Sequence, residues 1–113
     1  MFRRKKQKAE ILHLEQERMA LYLINHYEDI HKIEFRSLTE HRKTGTWVSD
    51  SVINDEFIIK LTLWGIGGEI SLAQLASHNE GKALKKKAMP TTFENHVLKT
   101  IQIIYWVKAD DIR

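Results

Sequence analysis

The feature that most constrains the fold is a change of hydrophobic period near residue 30. Before it, residues 5–27 contain no Gly or Pro and are rich in Ala, Leu, Glu, Gln, Lys and Arg, which favour a helix. Six apolar side chains recur there at helical spacing: Ile11, Leu12, Met19, Tyr22, Leu23 and Tyr27. After residue 30, apolar and polar residues alternate as they do in half-buried strands. The sequence therefore predicts a helix of about six turns followed by a sheet.

The clearest alternation lies in residues 57–63. Its core-facing side chains are Phe57, Ile59, Leu61 and Leu63. Asn54 and Asp55 precede this strand, and both tolerate the positive φ that a two-residue hairpin requires. We therefore expect residues 46–53 to form the partner strand of an antiparallel hairpin.

The phase of that partner strand decides which side chains meet the helix. We expect Val48 and Val52 to face the helix, with Trp47 and Ile53 on the opposite face. Further strands are predicted around residues 33–37 and 101–107. The last of them is expected to be central, or to be partly covered on both sides, because apolar residues occur on both of its faces. The stretch "EISLAQL" is compatible with a strand or a short helical turn.

These patterns predict a single α+β domain over residues 1–113, with the N-terminal helix packed on a four- to five-stranded antiparallel sheet. Residues 1–8 form a basic tail that we expect to be flexible, and residues 77–92 form a basic loop. The basic start of the chain is typical of a signal peptide, but no apolar stretch follows it. The sequence leaves open whether it is a solvated terminus or follows a hydrophobic segment.

The amino-acid composition excludes several kinds of catalytic and metal-binding site. The chain has no cysteine, which excludes disulfides, thiolate metal sites and a cysteine nucleophile. The six histidines form no HExxH or comparable cluster, and the glycines at positions 65, 67 and 68 do not match a phosphate-binding loop. We therefore expect no catalytic residue, metal site or cofactor, and a protein that is not an enzyme.

Basic residues are concentrated in two runs, Arg3 to Lys8 and Lys85-Lys86-Lys87. Such runs attract phosphates, so the second run is a candidate basic patch for nucleic acid, and the first suits an anionic membrane surface. The net charge is only +3, because acidic residues nearly balance the basic ones. We therefore consider nucleic-acid binding less well supported by the sequence than binding to another protein.

The face of the sheet turned away from the helix is expected to be apolar. Its predicted members are Trp47, Ile53, Ile58, Trp64, Ile104 and Trp106. We expect Trp47, Trp64, Trp106 and Ile104 to form an interface with a protein partner or a second copy. The alternative is that the loop after Trp64 folds over this face.

The stretches "DIHKIEF", "TGTWVSDSVIND", "FIIKLTL" and "GGEI" resemble small Gram-positive secreted or lipid-anchored proteins of unknown function. The resemblance covers residues 29–71 and, loosely, the last strand. It implies a cystatin-like helix-on-sheet fold and an extracytoplasmic, membrane-attached location, but no catalytic residues. The lipobox cysteine of those proteins is missing here. The expected function is a non-enzymatic binding module outside the cytoplasm, and the alternative is a cytoplasmic protein that binds nucleic acid or a membrane surface through its basic runs.

Overall fold

The structure, a computed structural model, describes residues 2–74 and 79–107, with side chains from Lys8 onward. It is an α+β fold in which one N-terminal helix packs on a mixed six-stranded sheet. The elements are α1 (Phe2–His26), β1 (Lys32–Phe35), β2 (Thr39–His41), β3 (Thr46–Ile53), β4 (Phe57–Leu63), β5 (Ile70–Gln74), a 3-10 helix (Asn95–Thr100) and β6 (Gln102–Ile104). Helix α1 begins three residues before the predicted start, so the basic stretch 3–8 is helical.

The strands are arranged in the order β5-β4-β3-β1-β6, and β2 continues β1 along the same edge of β3. Between β1 and β2 the ladder is maintained by the Arg36 N–H, which donates to the Asp50 carbonyl oxygen at 2.9 Å. All pairs are antiparallel except β1 and β6, which run parallel. The sheet is therefore mixed rather than wholly antiparallel, because the chain crosses beside the helix before it enters β6.

The predicted turn at Asn54-Asp55 is confirmed, with φ values of 55° and 58°. However, Ile53 pairs with Phe57, so Glu56 is a third loop residue. A one-residue change in loop length exchanges the two faces of a strand. The predicted phase of β3 is consequently wrong: Trp47 and Ile53 face the helix, and Val48 and Val52 lie on the opposite side.

The core lies between α1 and the inner face of the sheet, which we define as the face toward the helix. Strand β4 contributes Ile59, Leu61 and Leu63, each fully buried, as the alternation predicted. The other members of this core cluster on the helix, on the residue after it and on β1 and β3 are Leu12, Met19, Ala20, Leu23, Ile24, Tyr27, Ile33, Phe35, Trp47 and Ile53. Two serines, Ser49 and Ser51, also lie in this core, with their hydroxyl oxygens 3.0 Å apart. One hydroxyl donates to the other, which offsets part of the cost of burying them.

The last strand differs from its prediction. Strand β6 covers only Gln102–Ile104 and forms one edge of the sheet instead of its centre. Apolar residues occur on both sides of this segment for two separate reasons. Ile103 pairs with Ile33 on the inner face, whereas Tyr105 and Trp106 leave the sheet and pack against the core.

The chain between β5 and β6 closes the C-terminal end of α1. The His26 and Asn25 carbonyl oxygens accept hydrogen bonds from the backbone N–H groups of Lys87 at 2.8 Å and Thr91 at 2.9 Å. Tyr27 and Lys86 form an antiparallel bridge. Two of the last carbonyl groups of the helix, which have no partner within it, are thus satisfied by the crossing segment.

Four amide side chains hold this segment and its neighbours in place, and we call them the amide clamps. Each donates to the carbonyl and accepts from the N–H of a single distant residue, as a neighbouring strand would. The pairs are Gln16 with Trp106, Asn25 with Phe93, Gln74 with Leu84, and Asn79 with Ile58. These contacts supply backbone partners where no strand lies alongside.

Candidate interaction surface

The outer face of the sheet, turned away from α1, carries three rows of side chains across the strands. The first row is apolar, with Ile104 on β6, Val52 on β3 and Ile58 on β4, interrupted by Glu34 on β1. Ile58 is 36% exposed and Ile104 is 42% exposed, while Val52 between them is buried. The apolar row therefore combines a shielded centre with two accessible ends.

The second row is charged, and the third combines one valine with two hydroxyl side chains. Asp50 and Lys60 are cross-strand partners, and both are exposed. The next row joins Val48, Thr62 and Ser71. At its end Trp64 is 58% exposed, and its indole N–H donates to the Ser71 hydroxyl at 3.1 Å. The outer face thus has a large aromatic ring at one corner.

The glycine-rich loop after Trp64 turns tightly. Gly65 and Gly67 have φ values of 90° and 76°. A Cβ atom on Gly68 would overlap the Trp64 carbonyl oxygen, so only glycine fits this position. The three glycines are therefore explained by a tight connection between β4 and β5.

Two charged side chains of α1 fasten this loop to the helix. The Glu15 carboxylate is nearly buried and accepts from the Gly67 N–H at 2.9 Å and the Arg18 guanidinium at 2.7 Å. Arg18 in turn donates to the Gly68 carbonyl oxygen at 2.6 Å. The loop after Trp64 is thus hydrogen-bonded to the helix.

The four residues predicted as one interface are not brought together. Trp47 is 8% exposed and lies on the inner face, because the three-residue turn reversed the phase of β3. The backbone of Trp106 is bound by Gln16 at 2.7 and 3.0 Å, and its ring packs against the core. Trp64 and Ile104 do lie on the outer face, but near opposite edges of the sheet. Ile58 was predicted on this face but not among the four interface residues, and Val52 was predicted on the opposite face because the phase of β3 was wrong.

The two basic runs lie at opposite ends of α1. The first is on its N-terminal turns, and Lys85-Lys86-Lys87 crosses its C-terminal end, roughly 30 Å away along the helix axis. A helix C-terminus favours positive charge. Lys85 Nζ lies 3.4 Å from Glu28 Oε2, and Lys87 Nζ lies 5.1 Å from the centre of the Phe93 ring. Lys85 and Lys87 therefore have different partners, and the second run does not form one continuous patch with the first.

A groove of about 340 Å³ lies where the 28–31 loop, the 54–57 turn and residues 83–85 meet. Asn54 lines the groove and links two of these loops. Its side-chain oxygen accepts hydrogen bonds from the N–H groups of His31 and Lys32, and its side-chain N–H donates to the Asp29 carbonyl oxygen. Two carboxylates on the rim are paired with lysines. The groove thus lies where three loops meet, and the polar groups named here form hydrogen bonds or ion pairs with other residues of the protein.

The histidines have individual neighbours. The His13 ring lies 4.3 Å from that of Tyr105, and the His26 ring lies 4.4 Å from that of Tyr22. Within residues 2–74 and 79–107 no three His, Asp or Glu groups converge in a way that could hold a metal ion. Burial raises the pKa of Tyr22, Tyr27 and Tyr105 above the usual value, with smaller contributions from Glu69, Tyr22 and Glu17 respectively.

In the part of the chain that the structure describes, no helix has the length and apolar character needed to cross a membrane. Comparison of the chain with known protein families, with characterised proteins and with solved structures finds no match.

Proposed function

We propose that this protein is a non-enzymatic module that binds another protein through the outer face of its sheet. The observation that carries the proposal is the apolar row on that face, with Ile58 and Ile104 accessible at its two ends. Apolar side chains framed by polar and charged residues are typical of protein interfaces. Asp50, Lys60 and Glu34 provide such a frame.

The interior supports a binding role over an enzymatic one. Enzymes with a cone-shaped helix-and-sheet fold hold their substrate between the helix and the sheet. Here the space at that place is filled by Met19, Leu23 and Leu61, each fully buried. A ligand would have to displace close-packed side chains to enter it.

We further propose that the likeness to the cystatin-like arrangement extends to α1 and the β3-β4-β5 meander. One helix across an antiparallel meander supports this likeness. The parallel pairing of β6 with β1 is a difference from it.

The binding surface can be tested by photo-cross-linking in the source cell. A photoreactive amino acid at Ile58 and another at Ile104 should capture one and the same partner protein. The matched control is Leu14, an exposed leucine on the helix, which should not capture it. In the Ile58 probe, Ile104→Lys should abolish the cross-link while the circular dichroism spectrum stays unchanged. Capture of that partner from Leu14, or capture that Ile104→Lys does not affect, would contradict the proposal.

A further inference from the structure

The two edges of the sheet are not equivalent. Strand β6 is three residues long, and the chain leaves it at Tyr105 to be bound by Gln16. Strand β5 is five residues long and carries no charge or proline. Short edges are protected against pairing with another chain, and long uncharged edges are not.

The hydrogen-bonding groups on the free edge of β5 can be assigned from its register. The Trp64 N–H bonds to the Glu69 carbonyl, and Ile58 is bound on the same side by Asn79. Because groups alternate along an antiparallel ladder, the N–H and C=O of Ile70 and Leu72 point away from β4. Among the backbone hydrogen bonds of the described residues outside the ladders, none involves these four groups.

The core also continues to this edge, where the described residues cover it only in part. Ile70 and Leu72 pack against the core from the inner face, yet both remain only partly buried. On the outer face β5 presents two small side chains, Ser71 and Ala73, with the exposed Trp64 ring beside Ser71. An incoming strand would bury apolar surface on one face and meet little bulk on the other.

We propose that β5 pairs antiparallel with β5 of a second copy of this chain, around a two-fold axis at Leu72. This arrangement places Leu72 beside its own copy, Ile70 opposite the partner's Gln74, and Ser71 opposite the partner's Ala73. It forms up to about six inter-chain hydrogen bonds. The apolar inner positions extend one core into the next, and no like charges face one another. The partner's Ala73 leaves room for the exposed part of the Trp64 ring.

A second copy fits this edge because each side chain meets a suitable partner in its own sequence. The joined sheets would be continuous, with both helices on the same side. The inference uses the edge of the sheet and is independent of the partner proposed for its outer face.

Sedimentation equilibrium tests the pairing. We expect a reversible dimer in the micromolar to millimolar range, up to about 1 mM chain. Ala73→Lys places a charge on the exposed side of the edge strand and should raise the dissociation constant at least about tenfold. Leu72→Pro removes an outward N–H while leaving the bonds to β4, and should have a larger effect. The matched control is Ile104→Lys, the same charge on the opposite edge strand, which should leave the dimer intact.

Because the chain has no cysteine, a single introduced one reports its own neighbourhood. Leu72→Cys should be joined into a covalent dimer by a short bifunctional thiol cross-linker, since hydrogen-bonded antiparallel partners lie about 5.5 Å apart between Cα atoms. Ile104→Cys should not. A wild-type chain that stays monomeric, or a dimer that Ile104→Lys breaks and Ala73→Lys does not, would overturn the proposal. In either case the photo-cross-linking result for the outer face would stand unaffected.

Discussion

The β3-β4 hairpin and the segment 79–107 both border the core, but their backbones are held in different ways. The hairpin strands pair residue by residue from Trp47–Leu63 to Ile53–Phe57, so each bond has equivalent neighbours. The segment 79–107 depends instead on the amide clamps, of which three bind its backbone at Leu84, Phe93 and Trp106. In the hairpin, the hydrogen bonds that hold the backbone are distributed along both strands. In the segment 79–107, a few single side chains make them.

This difference has a consequence for substitutions. A ladder bond is made by backbone, so a side-chain change affects the hairpin mainly through packing and burial. A clamp is made by a side chain, so its removal leaves a distant N–H and C=O without partners. In the hairpin, the cost of a substitution should therefore depend on which face of the sheet the side chain occupies. In the segment 79–107, it should be large at the few amide side chains that form the clamps.

The largest effect is expected on the inner face of the hairpin. Leu61→Asp should cost more than about 4 kcal/mol of unfolding free energy, because it buries an unpaired carboxylate at a fully enclosed position. Lys60→Asp, one residue away on the exposed face, should cost only about 1–2 kcal/mol, because it places a second carboxylate opposite Asp50 but leaves both in solvent. Urea denaturation of both variants measures the contrast. Equal midpoints would mean that the two faces of β4 are not distinct.

The next effect concerns the clamp between the helix and the C-terminal segment. Gln16→Ala should cost about 2–4 kcal/mol, since Gln16 is 1% exposed and serves both the N–H and the C=O of Trp106. Hydrogen exchange should show the Trp106 amide losing protection before the amides of β4. The control is Glu10→Ala, an exposed position on the same helix. If the Trp106 amide kept its protection in Gln16→Ala, the clamp would not be what holds this segment.

A smaller effect is expected for Asn79, which clamps the end of β4. Asn79→Ala should cost about 1–3 kcal/mol, because water can reach the exposed Ile58 and replace part of what is lost. Lys86→Ala, exposed in the same segment, is the control and should be near neutral. Thermal unfolding gives both values. A cost for Asn79→Ala above that of Gln16→Ala would reverse the proposed ranking of clamps by burial.

The smallest effects are expected from two tyrosines: Tyr105 lies in the segment 79–107, and Tyr27 is bridged to that segment at Lys86. Their pKa values are raised above that of the unfolded chain, chiefly by burial. The neutral form is therefore favoured in the folded state, and this contribution is complete below the unfolded pKa of about 10 and lost as pH rises through the folded values. Tyr105→Phe should flatten the decline of stability above pH ~10 relative to wild type. An unchanged slope would show that Tyr105 ionises as readily in the folded chain as in the unfolded one.

Much of the fold was predictable because its signals are local. The helical period and the absence of Gly and Pro predicted α1, and the alternation in residues 57–63 predicted the inner face of β4. Asn54 and Asp55 predicted the turn. Of the candidate surface, Trp64, Ile58 and Ile104 were placed on the outer face by their phase alone.

The amide clamps were not predicted from the sequence, although the position of one of them, Gln16, is a signal that could have been read. Gln16 follows Leu12 by one helical turn and precedes Met19 on the same buried stripe. An amide on an apolar stripe requires a buried partner, but the sequence does not say which one. Its partner, Trp106, lies 90 residues further along the chain.

What the sequence by itself determined is therefore every feature that depends on residues close together: the helix, the turn, and the two faces of β4. Only the tertiary structure decided the phase of β3, the burial of Trp47, and the direction and edge position of β6. Apolar residues occur in both phases of β3, so one extra loop residue, Glu56, chose between them. The place of β6 depends on contacts made after the chain has passed the end of the helix, and no local period encodes such contacts.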